Sequence, residues 1–394
     1  MEDFVHLHVH TNYSILDGQS KVTRLVDKAI ADGMRGMAIT DHGVMFGIKE
    51  FADYCAKVNK GRKEKGEEPF KPIFGCEMYV AHHRLHDKVK EHGDNSGYHL
   101  IVLAKNYNGY KNLIKLVSKS WIDGYYYRPR TDRTELEKYH EDLIVCSACI
   151  AGEVPSKIIK GDLEGAREAC EWYHRVFGDD YYLELQRHEV KDPTILANRE
   201  AFPLQQKANK VLLELAKEYG IKVICTNDVH FEDKETAEAH DHLLCLSTGK
   251  DLDDPNRMRY SKQEWFKSRE EMNEVFSDVP EALTNTLEIL NKVEHYSIEH
   301  GPIMPFFPIP ESFGTEEEWK LKFSEADLYK EFTSDENGEN QLSPEEGQKV
   351  IERLGGYDKI YRIKFEADYL AKLAHDGAKK LYGDPIPSNV QEHI

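Results

Sequence analysis

The chain has 394 residues, 40% of them apolar, and 52 Lys and Arg against 71 Asp and Glu give a net charge of −19. That composition can bury a sizeable core, which excludes a wholly disordered chain. Its acidic excess excludes a surface that coats nucleic acid with clustered cations, though not a local basic channel. No run of about 18 apolar residues exists to cross a membrane, and the opening MEDFVHLHVH lacks the basic and apolar regions of a signal peptide.

In chain order, strand-like patterns fall at residues 4–9, 36–40, 72–80, 100–104, 143–146, 181–185 and 222–225. Amphipathic stretches of helical length separate most of them, at 21–32, 48–58, 110–120, 163–177 and 203–219. Seven β runs interleaved with helices predict an α/β fold with a mainly parallel sheet, closed as a barrel or doubly wound. Residues 57–68 (KVNKGRKEKGEE) and 82–97 (HHRLHDKVKEHGDNSG) read as polar surface insertions. Past residue 250 the alternation fades. Residues 263–293 are mostly helical, 300–310 (HGPIMPFFPIP) read as a Pro-rich linker, and 361–382 read as one helix. Residues 311–350 carry twelve Asp and Glu against four Lys. The final GDPIPSNVQEHI offers no compact closing element and suggests a boundary inside a longer protein. The expected division is 1–290 and 291–394.

The seven cysteines are odd in number and irregular in spacing, which fits reduced, buried thiols of a cytosolic protein. The unusual feature is the 19 histidines, nine of them within the first 99 residues. Alternation along 4–10 puts His6, His8 and His10 on one strand face and Val5, Leu7 and Val9 on the other. Three imidazoles on one face point to metal binding; a row of hydrogen-bonded residues in a cleft is the alternative. In Ile39-Thr40-Asp41-His42-Gly43, His42 falls at the carboxyl end of a strand, where functional groups of parallel α/β folds collect. Asp41 reads as a turn residue or a support behind the site. Glu77 interrupts an apolar strand, and a buried carboxylate needs a cation, either a metal or a basic side chain. Asp228 and His230 lie two residues apart at another strand end, and Asp17 and Cys149 add an oxygen and a sulfur. Cys146 and Cys149 could also form a redox pair, but without thioredoxin-like surroundings. His99 precedes its apolar run, so it fits only if that strand runs antiparallel or the geometry is less simple. His82, His83, His86 and His92 read as solvated, and His240 and His242 share no helical face. Glu184 and His188 read as supports.

These imidazoles, carboxylates and one thiol exceed the four ligands of a tetrahedral zinc and fit two or three ions. Ions so held bring the pKa of bound water from about 15.7 toward neutrality and stabilise charge on a phosphate oxygen. Phosphoester hydrolysis needs both. Imidazole and thiolate favour zinc, while the carboxylates leave manganese or iron open. Residues 124–133 (GYYYRPRTDR) join three tyrosines to Arg128, Arg130 and Arg133. They form either a stacking and phosphate contact for a single strand or a core Tyr cluster with a solvated Arg tail.

The motifs HLHVHTNYSILDG, ITDHG, GCE, YHLIVLAKN, CSAC and TNDVH, in this order, resemble the PHP (polymerase and histidinol phosphatase) superfamily. Within it they are similar to the N-terminal part of the bacterial DNA polymerase III alpha family. The resemblance runs to ADYLAKLAHDGAKKLYGDPIP near the end of the chain. It implies a distorted seven-stranded β/α (TIM-like) barrel followed by a mainly helical C-terminal extension. It implies a trinuclear metal site with His8, His10, Asp17, His42, Glu77, His99, Cys149, Asp228 and His230 as ligands, none replaced, and with His6 outside the set. The nucleophile would be water held by the ions, with no separate catalytic side chain; on the stacking alternative for residues 124–133, Arg128 and Arg130 would contact substrate. The resemblance further implies metal-dependent 3′–5′ exonuclease activity in replication and proofreading. The partners would be a DNA 3′ end, the rest of the polymerase chain and other replisome subunits, in the cytoplasm and without a membrane. A polymerase palm would lie beyond residue 394, so this chain would not extend a primer, and the acidic stretch would be a surface or a link to the next domain. Two other readings stay open. One is a metal-stabilised docking module without hydrolytic activity; the other is a free-standing phosphomonoesterase of the histidinol-phosphatase kind, against which the continuation past residue 300 argues.

Overall fold

Seven strands build one curled, mixed sheet: β1 Gly36–Ile39, β2 Lys71–Val80, β3 Tyr98–Ala104, β4 Arg130–Thr131, β5 Leu143–Cys146, β6 Tyr181–Leu185 and β7 Lys222–Cys225. The order is β1-β2-β3-β5-β6-β7, with the two-residue β4 on β2. The computed structural model describes residues 1–88, 96–303, 305, 307–334, 339 and 342–394. His92, two linker positions (304 and 306), and Asp335 and Glu336 of the acidic stretch lie outside the described residues. The chain divides into two compact units, Met1–Glu299 and His300–Ile394.

In the first unit, most strands read as unbroken apolar runs (GMAI, LIVC, VIC) because they are buried on both faces. Pairs β1–β2, β5–β6 and β6–β7 are parallel, but β3 runs antiparallel to both β2 and β5. The sheet is therefore more mixed than the β/α alternation suggests. The helices are α1 Val22–Ala31, α2 Ile48–Glu64, α3 Tyr107–Ile122, α4 Arg133–Lys138, α5 Glu153–Lys160, α6 Leu163–Phe177, α7 Ala201–Tyr219, α8 Ala237–Thr248, α9 Arg269–Val275 and α10 Pro280–Lys292. In α1 the buried residues are Val22, Leu25, Val26 and Ala29, the spacing of one helical face.

Segment 4–10 departs from expectation. It is extended but forms no ladder strand; it bridges the two ends of the curl. On one side the amides of Ala38 and Thr40 donate to the carbonyls of His6 and Val9, each at 2.8 Å. On the other, the His10 amide donates to the Val229 carbonyl at 2.7 Å and the Val229 amide to the His8 carbonyl at 3.2 Å. The segment thus closes the sheet into a distorted barrel, with Phe4, Val5, Leu7 and Val9 fully buried in the core. The stretch 57–68 also differs, since α2 runs on to Glu64. The Asn59 side chain exchanges hydrogen bonds with the Phe70 backbone (2.8 and 2.7 Å) and turns the chain back into β2.

The second unit holds α11 Glu316–Lys322, α12 Glu325–Thr333, α13 Pro344–Leu354, α14 Tyr357–Tyr382 and α15 Ser388–Gln391. Its small core is Leu328, Ile351, Ile360 and Tyr361. The acidic stretch, expected as a surface or link, starts three helices. Thr315 with Glu318, Ser324 with Asp327, and Ser343 with Glu346 form reciprocal capping boxes. The remaining first-turn carboxylates face the positive ends of the helix dipoles. Among the described residues, no helix is long and apolar enough to cross a membrane.

Candidate metal centre

One rim of the barrel collects all nine residues of the expected ligand set. His8 and His10 come from the closing segment, and Asp17 from the loop after it. His42 follows β1, Glu77 lies in β2, Cys149 follows β5, and Asp228 and His230 follow β7. His99 opens β3, and because β3 is antiparallel its start lies on the same rim as the carboxyl ends of its neighbours. The antiparallel alternative is the correct one.

Seven of the nine fall into three overlapping trios: His8, His10 and Asp228; His10, His42 and His230; His42, Glu77 and His99. In each trio the ligand atoms lie within 4.8 Å of one another, as a shared ion requires. Asp17 joins through Oδ2, 2.7 Å from His42 Nε2. Cys149 joins through Sγ, 3.7 Å from His99 Nδ1.

The surroundings fix the rings. His8 Nδ1 donates to Glu184 Oε1 at 2.6 Å, His10 Nδ1 to Ser14 Oγ at 3.1 Å, and His230 Nδ1 to the Asp228 carbonyl at 2.7 Å. With one proton per ring, each Nε2 then turns a lone pair into the centre. Nε2 of His8 and of His10 lie 3.1 Å apart, with Asp228 Oδ1 at 3.0 and 3.3 Å from them. With His8 neutral, lone pairs and an anion at that range repel unless a metal ion stands among them; without one, a proton on His8 Nε2 serves the Asp228 contact. Consistently, Asp17 Oδ1, Asp228 Oδ1 and His230 Nε2 are buried with no aligned hydrogen-bond partner among the described residues. The donor set therefore fits divalent metal ions.

Electrostatics point the same way. Burial disfavours a charged His8, but Asp228 and Glu184 outweigh it and raise the pKa well above the usual value. At His10 burial, helped by His42 and His230, pushes the pKa down to about 3. Burial would also raise the Glu77 and Asp228 carboxyls. The rings of His99 and His42 at Glu77, and of His8 and His230 at Asp228, hold both well below the ordinary range. Burial pushes the Cys149 thiol up. Several carboxylates thus stay ionised in a dry site because charged rings stand around them. Leu16, Ala148 and Asp228, at or beside ligands, take left-handed backbone conformations with φ of 61, 61 and 47°. Such strain clusters at functional sites.

Glu77 meets the rings of His8, His42 and His99. Asp41 is a support, accepting from the Thr11 amide and the Ser14 hydroxyl, each at 2.7 Å. Glu184 is held behind His8 by Thr226 and Gln186. His188 lies one layer out and donates through Nε2 to the Asn227 carbonyl at 3.1 Å. His6 leaves the row; its Nε2 donates to the Lys267 carbonyl at 2.8 Å, and its ring packs on Phe4 and Phe266. Sequence reasoning missed His240 and Tyr260. His240 Nε2 donates to the Asp17 carbonyl at 2.9 Å, and the Tyr260 hydroxyl donates to Asp17 Oδ2 at 3.2 Å. Spacing gives no signal for either, because both are remote in sequence and one partner is backbone.

Of the expected substrate contacts, Arg130 is corrected. It is buried, and its guanidinium donates to the carbonyls of Gly124, Leu85 and Asp87 at 3.2, 3.2 and 3.1 Å. Those bonds pin the loop from within. Arg128 is exposed, its guanidinium 5.9 Å from the centre of the Tyr79 ring, which lies 5.1 Å from His99.

A PHP domain profile matches residues 6–188. DNA polymerase III subunit alpha of Borreliella burgdorferi is 42% identical over 314 residues, 79% of this chain and 26% of that protein. The same subunit of Treponema pallidum is 38% identical over 328 residues, covering 83% and 26%. The chain thus spans about a quarter of the length of the curated relatives it matches. Among solved structures, a candidate metal-dependent phosphoesterase of Bifidobacterium adolescentis aligns with a TM-score of 0.34 and 15% identity, over 58% of this chain and 88% of that one. So remote a likeness carries no argument. The motif order, the shared rim and the profile agree: residues 6–188 are a PHP domain, in a chain similar over about four-fifths of its length to DNA polymerase III alpha subunits.

Proposed function

We propose that the first unit is a metal-dependent phosphoesterase that removes nucleotides from DNA 3′ ends, as a 3′–5′ exonuclease within a DNA polymerase III alpha subunit. One observation carries this reading: Nε2 of His8, His10 and His230 converges with the carboxylates of Asp17, Glu77 and Asp228, and among the described residues Asp17 Oδ1, Asp228 Oδ1 and His230 Nε2 have no aligned hydrogen-bond partner. Two or three divalent ions fit the nine donors. Imidazoles with Cys149 favour zinc, and the carboxylates admit manganese or iron. When bound, such ions polarise a phosphoryl oxygen and lower the pKa of water. The chain's own residues do the rest. Glu184, Ser14 and the Asp228 carbonyl orient the rings, and Arg128 at the mouth grips a phosphate. Water adds to phosphorus, the bond to the 3′ oxygen of the penultimate nucleotide breaks, and a nucleoside 5′-monophosphate leaves. Primer extension, replisome partners and a cytoplasmic location would belong to the full-length protein.

The test loads the purified chain with Zn²⁺ or Mn²⁺, measures metal by elemental analysis and follows a 3′-labelled strand. His8→Ala and Asp228→Asn should lose metal and cleavage together, about 100-fold or more. Full occupancy without cleavage of DNA or any phosphoester would sink the reading. A second reading has its own support: His8 and His10 lie on the segment that closes the barrel, so ions there would also rivet the fold. A purely structural role predicts that chelation lowers the melting temperature with no hydrolysis to lose.

A further inference from the structure

An exposed aromatic pair lies beside the metal centre. Trp121, at the end of α3, stacks on Tyr125 with ring centroids 5.5 Å apart and 23° between the planes. They remain 44% and 47% exposed, large apolar faces left to water. The pair is fixed to the centre by one bond: the indole N–H donates at 2.8 Å to the carbonyl of Gly43, the residue after His42. Gly43 is itself left-handed (φ 62°), and a Cβ there would come within 2.6 Å of Pro129. The His42 loop and the loop that follows Tyr125 are thus interlocked. The base of that second loop is held by the buried Arg130. At its tip Tyr127 is left-handed (φ 62°) and 61% exposed, a conformation costly for an aromatic residue. Arg128 follows it, exposed over the Tyr79 ring, which packs edge-on against His99.

An open π face, an exposed guanidinium and the adjacent candidate metal centre suit one ligand chemistry. An unpaired nucleotide offers a flat base to stack and a phosphate to pair. A duplex keeps its base faces stacked inside. We propose that Trp121 and Tyr125 form a stacking platform for the unpaired terminal bases of a nucleic-acid 3′ end, with Arg128 holding the phosphate between platform and centre. The proposal rests on the phosphoesterase reading for its substrate class, and it makes a frayed or single-stranded end the preferred form.

The test needs no catalysis. Anisotropy of a 5′-labelled short oligo(dT), bound to the full chain in chelator, is compared with the same strand made abasic at its last two positions. The native protein should bind the base-bearing strand about tenfold more tightly. Trp121→Ala and Tyr125→Ala should erase that preference, and Trp121→Phe, which keeps a ring, should retain most of it. Arg128→Ala should weaken both strands alike and flatten the salt dependence. Melting curves confirm that each variant is folded. Equal binding of both strands by the native protein overturns the platform, as does an unchanged preference in folded Trp121→Ala. Self-association that disappears in Trp121→Ala, without strand preference, overturns it in favour of a second copy. Absence of hydrolysis would defeat the phosphoesterase reading and leave the strand preference standing.

Discussion

The two units use the same side chains in opposite ways. In the first, His8, His10, Glu77 and Glu184 are buried, where a charge without a partner is expensive. In the second, Glu316, Glu317, Glu345 and Glu346 lie in the first turns of helices near the surface, where a carboxylate costs little and complements the dipole. Among the described residues, the core cluster of the second unit has four buried apolar side chains. The lesson is that composition says little about what a charge does. A carboxylate on a helix end serves the fold, and a carboxylate among buried rings awaits a cation.

The contrast can be broken most directly by chelation. If ions complete the first unit, removing them at free concentrations near a thousandfold above Kd takes away about 4 kcal/mol. Calorimetry should show its transition fall by roughly 10 °C while that of the second unit stays in place. An unmoved first transition would mean that the protein alone compensates its buried charges. Next, Leu328→Ala should cost the second unit about 3 kcal/mol through a cavity in its small core. Hydrogen exchange should open α12 to α14 and leave the metal content unchanged; slow exchange there would refute the small core. Asp132 gives a smaller effect inside the first unit. It is fully buried and accepts from the amides of Leu85 and Glu135 and from Arg84 at 3.0, 2.9 and 2.9 Å. Asp132→Ala should cost about 2 kcal/mol in urea melts near neutral pH. Burial raises the carboxyl, yet those donors outweigh it, so its pKa is lowered. Its stabilisation is then full above the ordinary aspartate pKa and disappears as the pH falls through the lower folded value. The gap between native and variant should close in acid; a gap that widens would contradict the sign. The smallest change is Ser343→Ala, which removes one capping box and should cost about 1 kcal/mol, read as earlier melting of α13 by circular dichroism.

Much of this was readable without coordinates, because periodicity and motif order act locally. The apolar runs at 143–146, 181–185 and 222–225 are β5, β6 and β7 without adjustment. Other features failed for physical reasons. Segment 4–10 has the strand period, but it bonds to different partners on its two sides and makes no continuous ladder. The direction of β3 is a tertiary property, so His99 looked misplaced until its neighbours were known. Lys60, Arg62 and Lys63 read as a loop although all are good helix formers, and α2 continues through them. The acidic stretch hid its caps: Ser343 and Glu346 have capping-box spacing, but the charge count drew attention first. Arg130 illustrates the limit for substrate contacts, since a cation beside tyrosines looks the same whether it faces solvent or pins a loop from within.

The left-handed backbone at Asp228 has a practical consequence. Asparagine tolerates that conformation at least as well as aspartate and has nearly the same shape. Exchanging Asp228 for Asn therefore leaves the local chain path relaxed while deleting a formal negative charge. A glycine would also suit the dihedral angle, but it would remove the oxygens along with the charge and loosen the turn. Of the candidate ligands, Asp228 is thus a position where an isosteric swap removes charge while leaving the backbone conformation undisturbed.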